Sequence, residues 1–345
     1  MAQIDYGEIE EVLGTIFGEN ISFESMIRHA IDGGNLFDVS TWIERLREVF
    51  VQQIQSQRQL LGALFGLIIM AAILAVVSKA FRNKQISEMG LFVVFLLLFL
   101  ILMKSFQGCF AITENVIQKL MDFMKVLMPA YLMAAAMGAY RTSAVVYYEG
   151  FLMLIYYLQK MISVLLLPAI RGYVIVGMLG YLGKEDLFTK GRKNLKSMIL
   201  FVLKAMISVT AGLQMIQGML APAIDSMKHT IFTKGVSSLG SIGNVAKNVT
   251  DVILGSGTLM KNGIGVVGSV MIVSICLVPV VQVSAYLIFY RVLTVITEPF
   301  SDKRILGMIE HMGDGIGLLV KLLFTLSALF LLTIAIVCVT TGGIR

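Results

Sequence analysis

Residues 60–78, nineteen in all, contain no charged side chain, and apolar stretches recur to the end of the chain, separated by short basic segments. An α-helix rises about 1.5 Å per residue, so such a run covers the hydrocarbon core of a bilayer. The pattern predicts an all-α, polytopic membrane protein. Further apolar runs lie at 89–103, 126–140, 144–182, 197–219, 263–290 and 316–340. The run 144–182 is too long for one helix and reads as two spans with a tight turn near Lys160, the second broken at Pro168, because proline removes a backbone donor and kinks a helix. About eight crossings follow, some broken at proline or glycine, with both termini outside.

Residues 1–59 are different. They hold ten Asp or Glu against four Arg and no Lys, with amphipathic stretches at 8–17, 21–31 and 41–60. In the last, Thr41 and Glu44 have capping-box spacing, and Ile43, Leu46, Val49, Phe50 and Ile54 recur on one helical face. That helix is expected to run straight into the first span, giving a small helical extracytoplasmic region at 1–59 and a membrane domain at 60–345. No charged n-region or cleavable apolar segment precedes the span. Either residues 60–78 themselves direct insertion, or an export signal lies outside this sequence.

Composition supports the membrane reading: 57% of residues are hydrophobic and 14% charged, with a mean hydropathy of +0.84, which leaves far more apolar surface than one soluble core hides. Lys and Arg near span ends set orientation. Lys79, Arg82 and Lys84, then Lys184, Lys190, Arg192, Lys193 and Lys196, then Arg291, Lys303 and Arg304 mark cytoplasmic loops and leave the N-terminus extracytoplasmic. Nucleic-acid binding is not expected, because no basic patch interleaves with aromatics. Cys109, Cys276 and Cys338 are isolated in apolar surroundings and read as small buried hydrophobes rather than a metal site or disulfide framework.

Residues 221–262 are rich in Gly and Ser, yet Val236, Leu239, Ile242, Val245, Val249 and Val252 recur three or four apart, which predicts a structured extracytoplasmic or interfacial hairpin. A faint echo between FVLKAMISVTA at 201–211 and LLVKLLFTLSA at 318–328 fits an internal repeat of the kind transporters contain, or chance similarity of apolar helices.

Chemistry-bearing residues are sparse. Glu149 and Arg171 fall within spans, where a charge costs about 2.5 to 3.5 kcal/mol and commonly faces a bundle interior, a partner or water. Lys204 and Lys321 lie within reach of span ends and snorkel. Gln214, Gln217 and Gln282 add amides that hydrogen-bond across helices. Glycines at 263, 265 and 268, and at 313, 315 and 317, permit close backbone approach, but the second set lacks the strand and the Lys-Ser or Lys-Thr of a phosphate loop. Histidines 29, 229 and 311 are isolated, and no nucleophile elbow or carboxylate pair stands out. No enzymatic activity, metal or cofactor is expected.

Two stretches, GLQMIQGMLAPAIDSMK at 212–228 and GSGTLMKNGIGVVG at 255–268, together with the acidic N-terminal region and polytopic remainder, resemble the stage III sporulation protein AE family. The resemblance implies a membrane component of the channel complex that links mother cell and forespore after engulfment. It further implies residence in the mother-cell membrane around the forespore, a requirement for late forespore gene expression, and partners that include a cytoplasmic ATPase and ring-forming proteins. Glu149, Arg171, Gln214, Gln217, Pro222, Lys261 and Asn262 are the candidate pathway or subunit-contact residues. The competing readings are a stand-alone secondary transporter and a purely structural assembly platform.

Overall fold

The computed structural model describes the backbone of residues 6–17, 22–32, 39–80, 84–137, 141–182, 189–237, 241–299 and 301–340, with their side chains except those of 39–41, 61, 75–80, 84–88, 91, 137, 141–149, 152, 182, 217–237, 241–258 and 339–340. Among the described residues the regular elements are all helical: α1 (Gly7–Phe17), α2 (Phe23–Ile31), α3 (Val39–Ser56), α4 (Arg58–Ala80), α5 (Lys84–Met137), α6 (Arg141–Lys160), a π-helical turn (Met161–Leu166), α7 (Leu167–Leu182), α8 (Thr189–Ser237), α9 (Ser241–Thr297) and α10 (Lys303–Thr340).

The three amphipathic stretches of the N-terminal region form α1, α2 and α3. The Glu10 carboxylate of α1 accepts hydrogen bonds from the Phe23 and Glu24 amides at 2.7 and 3.4 Å. It thereby caps the start of α2, where free amide donors favour negative charge. Tyr6 and Phe23 close the same hairpin with ring centroids 5.8 Å apart. α3 begins at Val39, so Thr41, expected at the cap, stands inside the helix; its side chain is outside the described set.

Among the described residues, five helical stretches are long and apolar enough to cross a bilayer: Phe92–Ala136, Met153–Tyr181, Thr189–Ile216, Leu259–Thr297 and Lys303–Cys338. The pair Trp42–Ser56 and Arg58–Leu74, bent by 44°, makes up to a sixth. The helix at 41–60 therefore does not run straight into the first span, because the chain breaks at Gln57.

The count of about eight is not confirmed: five or six candidate spans stand among the described residues, for two physical reasons. First, run 89–103 and residues 126–137 of the next run lie on one 54-residue helix, α5. Its polar link does not break the helix, because Glu114, Gln118, Asp122 and Lys125 sit on one exposed stripe while Val116, Ile117, Leu120, Phe123 and Met124 are buried. Second, no turn forms near Lys160. No Gly, Asn or Asp occurs between Gly150 and Pro168 to make one. The chain passes from α6 to α7 through the π turn, whose wider hydrogen-bond spacing directly precedes Pro168.

Side-chain packing shows that α9 and α10 run antiparallel. Arg291 meets Asp314 at one end, and Gly265 meets Cys338 and Ile334 at the other. A Cβ added at Gly265 would lie 2.6 Å from the Cys338 sulfur, and one at Gly268 would lie 2.7 Å from Leu127 of α5. These are the close approaches that the glycine spacing predicts. Leu127, Tyr131, Ile264, Val267, Ile316, Leu319 and Phe330 belong to one continuous core. Large apolar side chains including Ile73, Leu100, Met153, Val164, Phe201, Val295 and Phe324 point outward, a surface suited to acyl chains rather than water. Residues 241–252, where the sequence predicts a helix, lie in α9; residues 238–240 fall outside the described residues.

Candidate functional site

The apolar bundle encloses polar side chains at two levels. The first is around the C-terminal half of α10. Gln214 of α8 is 2% exposed, and its amide nitrogen donates to the Thr333 hydroxyl of α10, which donates to the Leu329 carbonyl at 2.8 Å. One turn before Gln214, Thr210 is fully buried. Among the described residues, neither the Thr210 hydroxyl nor the Gln214 carbonyl oxygen has a hydrogen-bond partner.

About 7.5 Å further along α10, given five residues of helical rise, the Cys338 thiol accepts a hydrogen bond from the Tyr131 hydroxyl of α5 at 3.2 Å. Lys261 of α9 lies within electrostatic reach of that thiol. Its side chain is 1% exposed, and its amine has no hydrogen-bond partner among the described residues. An unsatisfied buried polar group costs about 1 to 3 kcal/mol, and a charged one more. Thr210, Gln214 and Lys261 thus keep unused hydrogen-bonding capacity where an apolar side chain would be cheaper.

The second level is an ionic knot at the other end of the α9–α10 pair. The two carboxylate oxygens of Asp314 hold the Lys196 amine of α8 at 2.6 Å and an Arg291 guanidinium nitrogen of α9 at 2.7 Å. Close by, the buried His311 ring lies 2.9 Å from the Tyr173 carbonyl and 4.4 Å from the Tyr173 ring centroid. Arg192 covers the Tyr181 ring at 4.4 Å. One acidic side chain therefore joins three helices.

The candidates read from the sequence separate accordingly. Gln214 and Lys261 are both buried and both face the C-terminal half of α10. Asn262 is exposed. Arg171 is exposed too, with its guanidinium 4.2 Å from the Phe110 ring centroid. Glu149 lies on α6, and Gln217 and Pro222 lie on α8; their side chains are outside the described set. Cys109 and Cys276 are buried free thiols, and Cys338 is half-buried. Sequence reasoning missed Asp314, Thr210, Thr333 and the packing of His311. The available signal was Asp314 itself, an acid between two glycines inside an apolar helix.

The family model described as Stage III sporulation protein AE matches residues 21–341. A similar protein, Stage III sporulation protein AE of Bacillus subtilis (strain 168), is 21% identical over 316 residues, which cover 91% of this chain and 79% of the relative. No solved structure matches the chain. A match over nearly the whole helical bundle, including both glycine-rich stretches and both polar levels, places this chain in the stage III sporulation protein AE family, a family of sporulation proteins.

Proposed function

We propose that the chain is a pore-forming or scaffolding membrane subunit of the mother cell–forespore channel complex required for late forespore gene expression, working without catalysis of its own. The observation that carries this reading is the buried polar row of Thr210, Gln214 and Lys261, with unused donors and acceptors inside an apolar bundle. Lipid cannot satisfy such groups. A lumen or another subunit of the complex, such as its ring proteins, supplies what they lack.

The proposed orientation puts the Asp314 end in the cytoplasm. Support comes from Lys190, Arg192, Lys193, Lys196, Arg291, Lys303 and Arg304, which the antiparallel packing of α9 and α10 gathers at that end. The α1–α2 hairpin contacts α9 at Gly263 through Ile27 and Ile31, about 42 Å of helix away from Arg291. It lies on the extracytoplasmic side in this arrangement. Reporter fusions at 82, 193 and 303 report cytoplasm and a fusion at 244 reports the opposite side; a cytoplasmic 244 overturns the orientation.

The functional test is complementation of a sporulating host that lacks the gene. Lys261→Met keeps the stem length and removes a buried amine that has no partner among the described residues, so the purified variant is at least as heat-stable as the parent. Late forespore reporter output nevertheless falls about tenfold, on the order expected for one lost charge-assisted contact. Full reporter output from a normally accumulating Lys261→Met protein removes this residue from any pathway or contact. A stand-alone secondary transporter is the second reading, favoured by the π turn before Pro168. Coupled solute uptake by proteoliposomes of the chain alone would support it over the complex.

A further inference from the structure

Between the N-terminal region and the bundle lies a cavity of ≈360 Å³ that the polar row does not touch. Its walls come from the end of α1, from α3, and from the middle of α5 and α9. Its polar lining includes Arg45, Asn115, Lys119 and Gln282, and it contains no carboxylate. Arg45 and Asn115 are exposed, so the cavity opens to the surface. The volume is within the usual range for a small-ligand site.

The charge balance names the ligand class. Lys119 spends one donor on the Ile16 carbonyl at a long 3.4 Å, and neither Lys119 nor Arg45 has a salt bridge among the described residues. Two cations and two amides provide many N–H donors facing one space. A carboxylate offers two oxygens to such a set, whereas a phosphate offers more and suits the planar fork of arginine. Pro279 also lines the cavity. It leaves the Ile275 carbonyl without the usual donor four residues on, which gives an acceptor for a hydroxyl beside the phosphate. Trp42 and apolar residues such as Val116 and Val278 complete the wall.

We propose that the cavity between α3, α5 and α9 binds an anionic phosphate group, carried by a lipid headgroup or free in solution, through Arg45 and Lys119. This site is independent of the channel reading. It fixes α3 against α5 and α9 by neutralising two like charges that line one cavity.

The test uses the purified full chain in neutral detergent, with thermal unfolding followed on addition of phosphatidylglycerol, phosphatidylcholine, or inorganic phosphate against chloride at equal ionic strength. The midpoint rises with phosphatidylglycerol or with phosphate and not with phosphatidylcholine. A response to phosphatidylglycerol alone assigns the lipid source, and a response to phosphate alone assigns the free ion. Arg45→Met with Lys119→Met weakens the apparent affinity at least tenfold. No response to either anion, or an equal response in the double variant, overturns the proposal. If the double variant does not fold, Lys119→Met and Gln282→Leu are read singly, each with an affinity loss of several-fold. Unchanged affinity in both rejects the site.

Discussion

Asp314→Ala lowers the stability of the detergent-solubilised protein by about 2 kcal/mol, and the loss is larger than the value of either ion pair alone. The carboxylate is 25% exposed and holds Lys196 and Arg291 at 2.6 and 2.7 Å through separate oxygens. Fully exposed pairs are worth about 0 to 1 kcal/mol, whereas removing one member of a buried pair costs about 3 to 5. Asp314 lies between these limits, because Lys196 and Arg291 retain 35% and 51% exposure and keep some solvation. Without the carboxylate, two cations from α8 and α9 are left against each other beside α10. Neutralising all three together, as Lys196→Met, Arg291→Met and Asp314→Leu, removes that repulsion and recovers most of the loss. A thermal midpoint for Asp314→Ala equal to the parent's, or a triple variant no better than the single, means that the knot does not hold the three helices together.

Asp314 also marks where the sequence stopped being legible. Hydropathy located the apolar material well: residues within α5, α7, α8, α9 and α10 all fall in runs read as spans. Periodicity found α1, α2 and α3 without any structure. What hydropathy does not encode is whether a polar interval between two apolar runs is a loop or an exposed helical stripe. Residues 104–125 carry enough charge to look like a connection, yet the spacing of Glu114, Gln118, Asp122 and Lys125 keeps the helix intact. The turn assigned near Lys160 failed for a related reason. The long apolar run is divided by its length and its scattered charges, although no Gly, Asn or Asp stands between Gly150 and Pro168 to make the turn.

The polar row was half legible. Gln214 is an amide inside an apolar run, whereas Lys261 is marked only by the stretch 255–268 that carries the family resemblance. Their common neighbour α10 carries no such mark, because Thr333 and Cys338 are ordinary residues in a transmembrane sequence and gain meaning only when antiparallel packing brings them opposite. Arg171 shows the converse. It is unusual in sequence, but the bundle places it outside, over Phe110, where a cation and an aromatic face satisfy each other.

Gly177→Ala is destabilising by about 2 kcal/mol, although alanine is the better helix former by up to about 1 kcal/mol. A Cβ at this position of α7 would lie 1.7 Å from His311 Nε2 and 2.3 Å from two ring carbons. The imidazole cannot simply turn aside. It is 5% exposed, and its Nε2–H donates to the Tyr173 carbonyl at 2.9 Å. Moving the ring therefore combines overpacking, about 1 to 3 kcal/mol, with a lost buried hydrogen bond of about 1. Gly172→Ala on the same helix is the control, since a Cβ there meets nothing within 4 Å; it is neutral or mildly stabilising. His311→Ala supplies the partner variant. Combined with Gly177→Ala, it removes the obstructing ring, and the double-variant cycle shows a coupling of at least about 1 kcal/mol. Equal midpoints for Gly177→Ala and Gly172→Ala, or strict additivity with His311→Ala, would mean that α7 and α10 are not in contact at this point. The His311 packing described above would then be wrong.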